Sequence, residues 1–207
     1  MNSVFDNNNA NKSGGAVYVH DAFSNSIIDS EFINNSAKNG GAIYFNGETT
    51  NIAVNGYYEN NVAERAAGAV YFKGKSSNNK VASEFYQNHA KSASGGAIFF
   101  YNLAENNQFE SIFRYNTGAY GSGIFFYNKA NNNRFNSDFS SNVANSSGGA
   151  MVFHNTTNNN YFSGSFVSNS ALGEKLGDVW NGNGGAITFS DVSSNCLFDC
   201  EFINNTA

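Results

Sequence analysis

The stretch "NGGAIYFNG", Asn39 to Gly47, sets a glycine pair and an alanine directly against three residues that favour extended chain. Glycine weakens a strand, so its presence there needs a steric or conformational cause. The stretch recurs as "SGGAVYVH" from Ser13, "AAGAVYFK" from Ala66, "SGGAIFFY" from Ser94, "YGSGIFFY" from Tyr120, "SGGAMVFH" from Ser147 and "NGGAITFS" from Asn183. Glycine loops that cradle phosphate lead into a helix and normally occur once. These lead into strands and recur through the chain, so they turn a corner and let neighbouring segments approach closely.

A second motif, Phe-x-x-Asn, begins at Phe5, Phe32, Tyr58 (a tyrosine variant), Phe85, Phe113, Phe139, Phe166 and Phe202, at spacings of 27, 26, 27, 28, 26, 27 and 36 residues. A period of this size marks a solenoid. Leucine is too rare for leucine-rich repeats, and Gly, Asn and Phe do not make helical repeats. A β-helix remains, with one coil per unit. The last spacing holds one coil plus an insertion, Leu172 to Asn183.

The columns fit that reading. Four residues before the motif Phe stand Ile28, Val54, Val81, Phe109, Phe135, Phe162 and Phe198, and two before it stand Ser30, Gly56, Ser83, Ser111, Ser137, Gly164 and Cys200. Each coil therefore reads large, x, small, x, large, with one strand face filling a core. After the glycines, the columns Val17 to Ile187 and Val19 to Phe189 are expected to point inward. Asparagine columns three after the motif Phe (Asn8 to Asn205) and seven before it (Asn25 to Asn195) are expected at the corners. There they tolerate left-handed backbone and stack as amide ladders, with Asn106 in the middle of one.

Composition narrows the function. The 207 residues include 38 asparagines, no proline and only 13% charged residues, with a net charge of −5. Without a basic run, nucleic acid is not an expected partner. No apolar run is long enough to span a membrane, so this segment is not expected to insert into one. Cys196 and Cys200 are four apart in a strand-like segment, too far for a disulfide. The chain starts and stops inside the repeat pattern, which predicts a single solenoid over residues 1–207, uncapped at both ends and cut from a longer chain.

The paired signatures "GGA-[ILV]" and "Fxx-N" resemble the repeats of chlamydial polymorphic outer-membrane proteins, and "FINNSAKNGGAIYF" resembles the adhesin-like surface proteins of methanogenic archaea. The resemblance implies a right-handed parallel β-helix of the pectate-lyase type, all-β, with about seven coils of ~27 residues and three short strands per coil. It also implies an extracellular, cell-surface protein used in adhesion, and it supplies no catalytic residue. This sequence is expected to depart from the polymorphic proteins in carrying no membrane barrel within its 207 residues.

No enzyme activity, cofactor or metal is expected. Outward carboxylates at Glu31, Glu84, Asp138 and Glu201 read as a solvated sheet face with Lys80, Glu110 and Arg134. A carbohydrate-active enzyme using Glu84 and Asp138 is the rival reading, and a passive spacer is a third. His20 and His154 share a column five coils apart, so they form no metal cluster. The candidate ligand surface is an outward aromatic face of Tyr18, Tyr44, Tyr71, Phe99 and Phe125, widened by Tyr101 and Tyr127. Trp180, with Asp178 beside it in the insertion, is the foremost single contact. A glycan or a cell-surface protein is the expected partner, besides adjoining coils of a longer chain.

Overall fold

The computed structural model describes residues 3–173, 175–176, 179–180 and 182–207, and the strands among them wind into a parallel β-solenoid. A coil lays a strand on each of three sheets, split in one coil into Gln108–Phe109 and Ile112–Arg114 on the first sheet, and a fourth ladder of two or three residues follows the third sheet. In one coil these are Ile27–Ile33, Ser36–Asn39, Ile43–Phe45 and Thr49–Thr50. All four ladders pair in parallel with the equivalent strands one repeat away, so Phe32 sits beside Tyr58, and Tyr58 beside Phe85. The motif spacing is therefore the length of one coil. Among the described residues no helix is long and apolar enough to cross a membrane.

The inward columns fall where the alternation places them. Ile43, Val70, Ile98, Ile124 and Met151 are fully buried, as are the neighbouring Phe45, Phe72, Phe100, Phe126 and Phe153. Identical residues on adjacent rungs stack: Phe72–Phe100 at 4.6 Å, Phe100–Phe126 at 4.9 Å and Phe126–Phe153 at 4.8 Å, all within 6° of parallel. Across the core these rings meet the first sheet's phenylalanines edge-on, Phe100 with Phe109 at 87° and Phe153 with Phe135 at 81°. Both arrangements suit the ring quadrupole. The small column between the two large ones carries Ser83, Ser111 and Ser137, each buried. The Ser111 Oγ accepts from the Ser83 amide and donates to the Val81 carbonyl, which satisfies it inside the sheet.

The glycine corner is explained at Gly40 and Gly41. Gly40 has φ +60°, and a Cβ on Gly41 would lie 2.1 Å from the Gly68 carbonyl oxygen of the next coil. One glycine supplies the left-handed turn, and the other the space for coil-to-coil contact.

The asparagine corner after the motif Phe has a different construction. The second residue past the Phe adopts φ of 52–56° throughout, whether it is Asn7, Asn34, Asn60, Gln87, Tyr115, Ser141, Ser168 or Asn204. The next residue is always asparagine and turns inward. Asn35, Asn61, Asn88, Asn116, Asn142 and Asn169 have no exposed surface. The Asn116 amide group donates 2.9 Å to the Phe85 carbonyl of one coil and 3.0 Å to the Asn142 Oδ1 of the next. Its own Oδ1 accepts the backbone N–H and the side-chain amide of Asn88. Two donors and two acceptor sites are thus all used within a dry corner.

The other expected ladder lies one residue further along. Asn25, Asn51, Asn78, Asn106, Asn132, Asn159 and Asn195 take left-handed φ of 50–55° and face solvent. Their conformation is as expected, but their amides do not stack as the buried ladder. The buried ladder is Asn79, Asn107, Asn133 and Asn160, bonded Oδ1 to amide at 2.9–3.0 Å. The cause is geometric: the left-handed residue turns the chain and projects outward, so its successor enters the core. Ile52 and Cys196 occupy the same column at the ladder's ends, and both cysteines are free thiols.

Replacing Asn116 by Ala orphans the donors of Asn88 and the carbonyl of Phe85, and should destabilise the protein by about 3 kcal/mol or more. Asn106→Gly keeps the left-handed turn and should change stability by less than about 0.5 kcal/mol. Equal losses in denaturant titrations would contradict this assignment of the two columns. Tyr58 stands in the motif column with its hydroxyl buried and unpartnered. Tyr58→Phe removes that unsatisfied group and should raise stability by about 1 kcal/mol.

Candidate binding groove

The outer face of the third sheet carries the aromatic column expected there. Its rings stack along the solenoid axis: Tyr18–Tyr44 at 5.5 Å, Tyr44–Tyr71 at 4.7 Å, Tyr71–Phe99 at 4.9 Å and Phe99–Phe125 at 5.2 Å. The face is much less open than alternation suggests. Tyr18 is 47% exposed, but Tyr71, Phe99 and Phe125 retain only 9%, 7% and 6%. Each ring covers its neighbour, and Ala66, Ala67 and Ala93 from the glycine corner close one flank, forming a second apolar cluster outside the solenoid core. Burial pushes the Tyr71 phenol well above the ordinary tyrosine range, with the Tyr44 and Tyr101 hydroxyls adding to it.

Two residues beyond this column runs another, which is open. Tyr101 and Tyr127 stack at 5.2 Å, and Tyr127 and His154 at 5.1 Å and 1°. Tyr101 and Tyr127 are 43% and 38% exposed. Backbone bonds from Tyr101 to Phe72, Tyr127 to Phe100 and His154 to Phe126 hold this column in step with the coils. The His154 Nδ1 lies 3.0 Å from the Tyr127 carbonyl. A carbonyl only accepts, so Nδ1 carries the proton and Nε2 is the acceptor of the neutral ring.

Between the open column and the glycine corner lies a groove of about 500 Å³. Phe99, Phe125 and Val152 form its floor, Tyr127 and His154 one wall, and Tyr120 with Ser94 and Ser147 the other. Asn183, Thr188 and Ser190 complete it on the following coil. The ring columns stop here: Val152 pairs in register with Phe125, and Thr188 with Val152. Tyr120 is the one ring in a column otherwise occupied by Ser13, Asn39, Ala66, Ser94, Ser147 and Asn183. It meets Phe125 edge-on at 6.5 Å and raises the wall. None of the described lining residues is Asp, Glu, Lys or Arg.

The expected ligand surface is thus divided. Phe99, Phe125 and Tyr127 come together in the groove, and Tyr101 stacks on Tyr127 just outside it. Tyr18, Tyr44 and Tyr71 lie further along the axis. In the insertion, Lys175–Leu176 pairs antiparallel with Val179–Trp180. Only the backbone of Trp180 is described, and Asp178 lies outside the described residues. Alternation did not single out Tyr120, Val152 and His154. The signals were a lone large residue in a small column, and the loss of rings after Phe125.

The first sheet's outer face is a separate surface. In register, Glu31, Tyr57, Glu84, Ile112, Asp138, Ser165 and Glu201 follow one another. Glu84 lies 3.8 Å from Arg114, Glu110 2.6 Å from Lys80, and Asp138 accepts from the Ser165 hydroxyl at 2.6 Å. Opposite charges on neighbouring rungs compensate one another, as on a solvated sheet face. Among the described residues, no three His, Cys, Asp or Glu side chains are grouped to hold a metal ion.

Two stretches, residues 2–20 and 29–46, match the Chlamydia polymorphic membrane protein repeat. Each runs from the first sheet through the inward-turned corner asparagine and the glycine corner into the third sheet. The match thus covers the parts that build a coil, and the groove lies on later coils. No curated protein and no solved structure matches the chain.

The two outer columns should respond differently to truncation. Phe99→Ala opens a hole in a buried stack and should cost about 3 kcal/mol. Tyr127→Ser removes a half-exposed ring and should cost less than about 1 kcal/mol. Thermal melts of the two variants compare these losses, and equal losses would contradict the described burial.

Proposed function

We propose that this chain is a surface-displayed, adhesin-like β-solenoid segment that acts by binding through its lateral face. Its interior is a run of repeated rungs, which suits a rigid stalk. The observation that carries the binding role is the groove at the end of the ring columns, where an apolar floor opens between polar walls. Concave sites of this volume with a few convergent polar groups are the usual form of a ligand pocket. The match to a polymorphic membrane protein repeat supports an extracellular, cell-surface setting. The pairing of Glu84 with Arg114 and of Asp138 with Ser165 supports a structural rather than catalytic use of those carboxylates.

Filling the groove tests this reading. Val152→Phe with Ser190→Tyr continues both ring columns across it. The labelled chain should bind a panel of microbial and animal cells, and the double variant should lose at least tenfold in binding with an unchanged melting profile. Equal binding by both proteins would put recognition outside the groove, and no binding by either would leave the spacer role. Turnover of an acidic polysaccharide that disappears in Glu84→Gln or Asp138→Asn would replace binding with catalysis. Protease accessibility on intact producing cells checks the surface location.

A further inference from the structure

Resting on that reading, the groove also has a chemistry that selects its ligand: we infer that it binds an uncharged carbohydrate, one sugar ring of which sits against the end of the ring column at His154. The first support is the column's end. His154 is stacked by Tyr127 on one side, and the next residue of the column, Ser190, has no ring. Tyr18 and Tyr101 also end their columns, away from the groove, but inside the columns both faces of a ring are occupied by neighbours, as Phe99 is by Tyr71 and Phe125. Only edges remain there, and an edge is a poor platform for the C–H face of a pyranose. At the step above Thr188 and Ser190 a ring face is available, with Val152 and Phe125 as an apolar floor.

The second support is the polar set. The His154 Nε2 is an acceptor, because Nδ1–H is held by the Tyr127 carbonyl. Hydroxyls of Ser190, Tyr120 and Tyr127 both donate and accept, and the Asn183 amide does the same. Hydroxyl, imidazole and amide groups around an apolar floor match a molecule with one apolar face and a rim of hydroxyl groups.

The third support is what the groove lacks for other ligands. Among its described lining residues the groove has no Asp, Glu, Lys or Arg to pair with a uronate, sulfate or phosphate. It also offers no strand edge to an extended peptide. Third-sheet backbone groups bond along the axis to the adjacent coils, through Phe99–Phe125, Phe125–Val152 and Val152–Thr188. Strand addition needs unpaired groups, which a lateral face does not present.

The test uses the whole chain on an array of neutral oligosaccharides beside uronate, sialylated and sulfated ones, with hits titrated calorimetrically. Neutral glycans should bind, and acidic ones should not bind more tightly. His154→Ala should weaken binding at least tenfold, and Ser190→Phe, which extends the ring column, should abolish it. Tyr18→Ser, far along the solenoid, should leave it unchanged. Both groove residues face solvent at least in part, and a melting curve confirms each fold. Preference for acidic glycans, or neutral binding insensitive to His154 and Ser190, overturns the inference. If no glycan binds but the groove-filling double variant still loses cell binding, the groove keeps its role and the carbohydrate assignment falls. If neither assay depends on the groove, both readings fall.

Discussion

The fold depends on one hydrogen-bonding constraint. A coil that turns a corner into a dry core must bury a backbone N–H and carbonyl groups that no strand partner can reach at the bend. The asparagine ladder resolves this with one planar group per coil. Each amide bridges the carbonyl of one neighbour and the Oδ1 of the other, while its own oxygen serves the neighbour's backbone. Aspartate lacks the donor, and a column of carboxylates would bury like charges on adjacent rungs. An aliphatic residue would leave the amide unmet. Asparagine is therefore held at every described rung of this corner, while the adjoining left-handed position accepts Gln, Tyr and Ser. Once the amides set coil against coil, the core follows, because identical registers bring phenylalanine onto phenylalanine.

The same economy separates scaffold from function. Inward columns repeat because each rung must fit its neighbours, and the outer face is freer to vary. The groove arises from such variation: valine and threonine follow phenylalanine in one outer column, serine follows histidine in the other, and one tyrosine rises in a small column. A solenoid exposes its sides rather than its strand edges along its length, so recognition there must rest on side chains.

Much of this was legible in the sequence. The coil length, the inward parity of the third sheet and the asparagine after the motif Phe follow from spacing and alternation alone. The second ladder was displaced by one residue because both members of the "NN" pairs Asn78–Asn79, Asn106–Asn107, Asn132–Asn133 and Asn159–Asn160 are asparagine. Composition cannot tell which of them turns the chain and which is turned inward. The other corner held the answer, since there only the second member is constant. The burial of Tyr71, Phe99 and Phe125 was hidden for another reason. Alternation reports which side of a strand a residue occupies, not what neighbouring rungs and the alanine corner lay over it. The groove is a difference between adjacent coils, and an averaged repeat conceals it.

The amide ladder also has a direction. Each rung offers an oxygen toward the coil before it and hydrogens toward the coil after it, so any coil carrying the asparagine presents the same two surfaces as any other. A gene encoding such units can gain or lose one by unequal recombination, and the joint formed in the protein is already complementary. The glycine corner, which the ladder does not pass through, can take an extra segment without disturbing that match, as it does after Ala171. Lineages carrying this architecture can therefore change the length of the solenoid and the decoration of its corners as independent heritable traits.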